Sequence, residues 1–116
     1  MNARVLIVED DALIALDLAD QLNGSGFIVV GTPSSVAAAH AILDQATACD
    51  VVVLDVNLGR ETSESIAHRL ILEGTPFLVI SGYSSSQHPI VFQGKPALNK
   101  PVRLERLLAA LSKLCN

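Results

Sequence analysis

The sequence predicts an α/β domain in which a parallel β-sheet carries helices on both faces. Three observations predict it. Short β-branched runs alternate strictly with stretches of helical period along the whole chain. The central run, Asp-Val-Val-Val-Leu-Asp at positions 50–55, is apolar on both faces, as a strand covered from both sides must be. The last segment carries one leucine stripe opposite a basic face, the pattern of a helix packed on a larger body. Strict alternation of this kind implies right-handed crossovers and a doubly wound sheet.

The elements follow in order. Val5 to Val8 is a strand, stopped by Glu9, Asp10 and Asp11. Ala12 to Asn23 has helical period, with Ala15, Leu18, Ala19 and Leu22 on one face and Asp17, Asp20 and Gln21 on the other. Asp11 is placed to cap this helix, and Gly24 stands where its C-terminus calls for a left-handed residue. Phe27 to Gly31 is a second strand. Ser34 or Ser35 can cap an Ala-rich helix running to about Ala46. After the central strand, Glu64 to Glu73 is helical and Gly74 ends it. Pro76 to Ser81 is a fourth strand. Ser84 to Gln93 holds three serines and Pro89 and makes at best a short or broken helix. Lys95 to Asn99 is a fifth strand. In the final helix, Val102 to Leu114, the stripe is Leu104, Leu107, Leu108 and Leu111, opposite Arg103, Arg106 and Lys113.

Composition narrows the function. Half of the 116 residues are hydrophobic and 17% are charged, enough for one domain with a core of its own over residues 1–116. The net charge is −4 and the eight basic residues form no run of three, which argues against nucleic acid as a partner. Cys49 and Cys115 lack the spacing of a zinc site or a disulfide framework, and His40, His68 and His88 lie in separate segments. The apolar run that ends at Glu9 is too short for a signal peptide or a membrane span, so a cytoplasmic location is expected.

In a doubly wound sheet the site lies beyond the carboxyl ends of the strands. There the chain places Glu9, Asp10 and Asp11 after the first strand and Asp55 at the end of the third. Ser81 ends the fourth, and Lys100-Pro101 follows the fifth. Converging carboxylates repel one another and need a cation; hard oxygen ligands suit Mg²⁺ or Mn²⁺. Asp55 can then act as a carboxylate nucleophile toward phosphorus, with the metal and Lys100 stabilising the equatorial oxygens. The Ser81 hydroxyl can donate to the finished phosphate and offers a switch. Each of these residues alone is a weak signal; their ordered joint occurrence is the strong one.

The stretches Val5–Asp11, Val52–Leu58, Val79–Tyr83 and Asn99–Pro101 resemble the response-regulator receiver family, and the resemblance covers essentially the whole chain. It implies a flavodoxin-like five-stranded sheet in order 2-1-3-4-5. It implies phosphotransfer to Asp55 from a histidine kinase or phosphotransfer protein, and output through a downstream protein target. It also implies that the chain is no enzyme beyond its own phosphorylation and dephosphorylation. By the same resemblance Glu9 and Asp10 match the acidic metal pair, Ser81 the hydroxyl switch and Lys100 the lysine. Asn57 supplies a backbone carbonyl to the metal, and its side chain with that of Tyr83 tunes hydrolysis.

Two departures stand out. The family's proline after the acceptor is absent from Leu58-Gly59-Arg60-Glu61, so that loop is expected to be differently shaped or mobile. The family's switch aromatic on strand five falls at Ala97, which leaves Tyr83 as a substitute. Together with the weak fourth helix, these features resemble stand-alone regulators of Ser/Thr-Gly-Tyr type, or receivers fused to kinases. A non-phosphorylated docking module and a fragment of a larger regulator or hybrid kinase are the competing readings. An Asp-x-Asp phosphatase would carry its nucleophile after the first strand. A flavin or nucleotide carrier would have a phosphate loop where Glu9-Asp10-Asp11 stands.

Overall fold

The computed structural model describes residues 2–45, 49–82 and 88–115. Its elements are β1 (Arg4–Val8), α1 (Ala12–Gly24), β2 (Ile28–Gly31), α2 (Val36–Leu43), β3 (Val51–Asp55), β4 (Asn57–Leu58) and β5 (Glu61–Thr62). They continue with α3 (Glu64–Glu73), β6 (Phe77–Ser81), a 3₁₀ turn (Ile90–Phe92), β7 (Ala97–Asn99) and α4 (Leu104–Cys115). The main sheet runs β2-β1-β3-β6-β7, every neighbour parallel. Counted among the sheet strands alone, this is the expected order 2-1-3-4-5.

Successive strand residues point to opposite faces, so each strand feeds two cores. Leu6, Val8, Val52, Leu54 and Val79 face α2, α3 and the 3₁₀ turn, where Ile66, Leu70 and Phe92 pack on them. Val5, Ile7, Val51, Val53, Leu78 and Ile80 face α1 and α4, packing with Leu18, Leu22, Leu107 and Leu111. All five residues of β3 are buried, because β3 is the central strand of the five, with a neighbour on each side and helices above and below. On α4 only Leu107 and Leu111 are fully buried; Leu104 and Leu108 sit at the edge of the stripe.

Helix ends explain the shifts from expectation. Asp11 caps α1, its carboxylate accepting from the Leu13 and Ile14 amides at 3.0 and 3.2 Å. The left-handed residue that closes α1 is Gly26, with φ 95°, and Gly24 is the helix's last residue. The amides of Gly26 and Phe27 donate to the carbonyls of Asn23 and Leu22, a Schellman closure centred two residues later than predicted. Gly74, with φ 72°, closes α3 as expected. Ser35 caps α2, which ends at Leu43 rather than near Ala46, a residue outside those described. In the fourth helical interval the described residues form only the 3₁₀ turn after Pro89; residues 83–87, with Tyr83 among them, lie outside.

Leu58–Glu61, whose shape the sequence left open, is defined in the structure. It is the turn of a miniature antiparallel hairpin, β4 on β5, with Asn57 opposite Thr62 and Leu58 opposite Glu61. Gly59 supplies the positive φ of 64° that the turn needs.

Candidate functional site

The carboxyl ends of β1, β3, β6 and β7 bring the predicted residues to one edge of the sheet. Glu9 follows β1 and is buried; its amide donates to the Pro33 carbonyl at 3.1 Å, which fixes the turn-out of the strand. Asp55 ends β3, 3% exposed. Ser81 ends β6, also buried, and its carbonyl accepts from the Lys100 amide at 2.9 Å. That bond carries Lys100 to the site, and the Lys100–Pro101 peptide is cis.

Lys100 is the pivot. Its Nζ lies 2.7 Å from Asp55 Oδ2, as a hydrogen bond and ion pair, and 2.6 Å from Glu9 Oε1 as an ion pair. Asp55 Oδ1 accepts from the Asn57 amide at 3.3 Å. Glu9 Oε2 accepts from the Asp11 amide at 3.2 Å. Asp10 is exposed, and its Oδ2 accepts from the Gly59 amide at 2.8 Å. A carboxylate oxygen from each of Glu9, Asp10 and Asp55 lies within 4.8 Å of the other two. Asp11 spends its carboxylate on the α1 cap and is not part of the group.

Two further residues hold this geometry. Ser63, fully buried, donates from Oγ to the Asp55 carbonyl at 2.5 Å, and its amide donates to the Val56 carbonyl at 2.9 Å. The chain therefore leaves β3, forms the hairpin and returns to clamp the backbone of Asp55. Gly59, at the hairpin tip, orients Asp10; a Cβ there would stand 3.9 Å from Asp10 Oδ2, but the left-handed backbone favours glycine. Neither role was readable beforehand, because both depend on the hairpin folding back. The one available cue was a serine directly before a predicted helix, which reads as a cap. Ser63 in fact makes no side-chain cap bond.

The charges are unbalanced: three carboxylates share one ammonium. Burial, and then the proximity of Asp55, push the Glu9 carboxyl above its ordinary value of 4.5 against the opposing pull of Lys100. Burial is the largest influence on Lys100 and pulls its ammonium down, but its contacts with Asp55 and Glu9 outweigh that and raise it above 10.5. A carboxyl raised in the folded state binds protons more readily there than in the unfolded chain. Glu9 thus costs the metal-free protein stability above its raised value, and that cost disappears as the pH falls toward 4.5. Urea midpoints taken across this window are expected to give Glu9→Gln a smaller gain on acidification than the native chain. Identical pH profiles would remove Glu9 from the charge cluster.

The donor set fits a hard divalent cation. It offers oxygen ligands only, two of them from buried carboxylates whose mutual repulsion a cation would relieve. Thiolate or imidazole donors are absent from the group, so a zinc-type centre does not fit. His40 lies elsewhere, on α2 against Ser65 and Arg69 of α3. Among the described residues no helix is long and apolar enough to cross a membrane.

Comparison with known proteins gives the family and the fold. The family model of the response regulator receiver domain matches residues 5–112. The transcriptional regulatory protein PdtaR of Mycobacterium tuberculosis is 32% identical over 117 aligned positions, 93% of this chain and 54% of that protein. The chain thus spans about half the length of the curated relatives it matches. The solution structure of SdrG from Sphingomonas melonis Fr1 superposes with a TM-score of 0.85 at 35% identity, covering 99% of this chain and 98% of that one. A response regulator receiver protein from Sinorhizobium medicae WSM419 gives 0.82 at 27% identity, covering 99% and 95%.

Proposed function

This chain belongs to the response regulator receiver family, and we propose from that premise that Asp55 is its phosphoacceptor. The donor is a phosphohistidine on a histidine kinase or phosphotransfer protein. The observation that carries the reading is the Lys100 ammonium set between Asp55 Oδ2 and Glu9 Oε1, with Asp10 alongside.

An Asp55 carboxylate oxygen forms the new O–P bond as the N–P bond of the donor breaks, and the electron pair of that bond stays with the imidazole. Lys100 follows the charge from the carboxylate to the phosphoryl oxygens, and the Ser81 hydroxyl donates to another of them. Glu9, Asp10 and Asp55, with the Asn57 carbonyl, would hold Mg²⁺ or Mn²⁺. The ion's part when bound is to offset the negative charge of site and donor. The Asn57 and Tyr83 side chains set access of water to the acyl phosphate. The fold then changes at a face that docks a downstream protein, while the chain catalyses only its own phosphorylation and dephosphorylation. A cytoplasmic location goes with such partners.

Incubation with acetyl phosphate and Mg²⁺ is expected to add one phosphoryl group, seen by mass spectrometry, and chelation of the metal should prevent it. A native chain that gains no mass under these conditions would leave a docking module without phosphotransfer.

A further inference from the structure

We propose that Ser63 is a positioning residue that gives the acidic cluster a preference for Mg²⁺ over Ca²⁺. The inference rests on the metal-binding part of the function proposed above, with the Asn57 carbonyl among the ligands. It assigns the selectivity of that site to a side chain outside it.

Ser63 stands directly before α3, where a serine ordinarily caps the helix. It makes no side-chain cap bond. Its hydroxyl is spent backwards instead, on the Asp55 carbonyl at 2.5 Å, with the Val56 carbonyl at 3.2 Å. Its amide donates to the Val56 carbonyl as well, at 2.9 Å. The residue is fully buried. These contacts close the base of the β4–β5 hairpin on the end of β3.

They also fix which backbone groups the hairpin uses. Antiparallel pairs alternate between hydrogen-bonded and non-hydrogen-bonded. Val56 opposite Ser63 is bonded, so the next pair, Asn57 opposite Thr62, is not. The amide and carbonyl of Asn57 therefore face away from β5. The amide donates to Asp55 Oδ1 at 3.3 Å, and the carbonyl shares that side. At the hairpin tip the Gly59 amide holds Asp10 Oδ2 at 2.8 Å. Leu58 between them is buried in the core that α2 and α3 cover. One short hairpin thus sets the spacing of two ligands, the Asn57 carbonyl and the Asp10 carboxylate.

Fixed spacing is what separates the two cations. Mg²⁺ demands near-ideal octahedral geometry at about 2.0–2.1 Å, whereas Ca²⁺ accepts irregular sets at about 2.3–2.6 Å. Asp10 is exposed, and its side chain can follow an ion of either size. The Asn57 carbonyl has no such freedom while Ser63 holds the chain on both sides of it. A loop released from that clamp would let the carbonyl retreat, which Ca²⁺ tolerates and Mg²⁺ does not.

The test titrates the ¹⁵N-labelled native chain and Ser63→Ala with MgCl₂ and with CaCl₂, reading the amide shifts of Asp10, Asn57 and Gly59. The native chain is expected to bind Mg²⁺ more tightly than Ca²⁺. The substitution should weaken Mg²⁺ binding about tenfold or more and Ca²⁺ binding far less, so the preference narrows. Urea unfolding without metal reads any loss of stability separately. Ser63→Cys, which keeps the size but donates only weakly, carries the same expectation should the alanine variant not fold. Equal weakening toward both cations would leave Ser63 a structural residue and overturn the proposal, as would no change toward either. Phosphoryl uptake from acetyl phosphate with Mg²⁺ is followed on the same samples. Native uptake with an unaltered preference in the variant removes the role of Ser63 alone. A native chain that binds neither cation and takes up no phosphoryl group removes the metal-dependent phosphotransfer as well.

Discussion

Asp55→Asn is expected to take up no phosphoryl group from acetyl phosphate or a phosphohistidine donor, while the fold persists. Asparagine keeps the shape of the side chain and one oxygen that can accept from the Asn57 amide or from Lys100, both of which donate to Asp55 in the native chain. What it loses is the charged nucleophile, and an amide oxygen does not replace a carboxylate in attack on phosphorus. The neighbouring carboxylates are differently committed. Glu9 is buried and raised in pKa, and Asp10 is bound to the Gly59 amide. Neither therefore substitutes for Asp55. The variant should be no less stable than the native chain without metal, because Glu9 remains as the counter-charge of Lys100 and loses the carboxylate that pushed its pKa up. Mass spectrometry and thermal midpoints check both halves. Phosphoryl incorporation at the native rate would move the acceptor to Glu9 or Asp10.

Most of the fold was legible because its signals are local and repeated. A strand buried on both faces must be apolar at consecutive positions, and Val51 to Leu54 are all fully buried. A helix on one face of a sheet shows its stripe, as Ala15, Leu18 and Leu22 do on α1. What escaped has a weaker local signature. The β4–β5 hairpin has two residues per strand, too few for alternation, and only Gly59 betrays the turn. Gly24 and Gly26 are equally good as letters; which one turns left-handed depends on how far α1 runs before Phe27 returns to the sheet.

The candidate site was legible for a related reason. Glu9, Asp10, Asp55, Ser81 and Lys100 all sit where an apolar run stops, and parallel topology gathers such stops at one edge. Their distances follow from strand register, so placing each residue on its strand placed it in space. Ser63 follows no such rule, since its bond to the Asp55 carbonyl spans a loop whose shape the sequence left open. A basic groove beside β7 is another case. Lys95, Lys100, Arg103 and Arg106 look scattered along the chain, and only the passage from β7 into α4 draws them together.

Lys100→Met is expected to cost about 3 kcal/mol of stability at neutral pH in the absence of metal, and Mg²⁺ should restore much of it. The Lys100 ammonium lies within 2.7 Å of two carboxylates whose side chains are 0% and 5% exposed. Removing one partner from a buried charge cluster leaves the others uncompensated, which typically costs about 3–5 kcal/mol; Lys100 is itself 23% exposed, which places this case at the lower end. In the native chain the lysine's contribution is complete below its ordinary value of 10.5 and is lost only as the pH rises through the raised one. The variant has the opposite dependence. With the downward pull of Lys100 gone, the Glu9 carboxyl rises further, so acid stabilises the variant as Glu9 takes up its proton. A divalent cation acts in the same direction by mass action, since it binds the folded cluster in preference to the unfolded chain. Phosphorylation should persist at a reduced rate, because the nucleophile is intact, whereas the conformational response should weaken. Urea unfolding with and without Mg²⁺ reads the first effect, and amide exchange with and without beryllofluoride reads the second. A metal-free variant as stable as the native chain would mean that the two buried carboxylates are not both ionised. The cluster would then have shed its charge by protonation and would have little need of a cation.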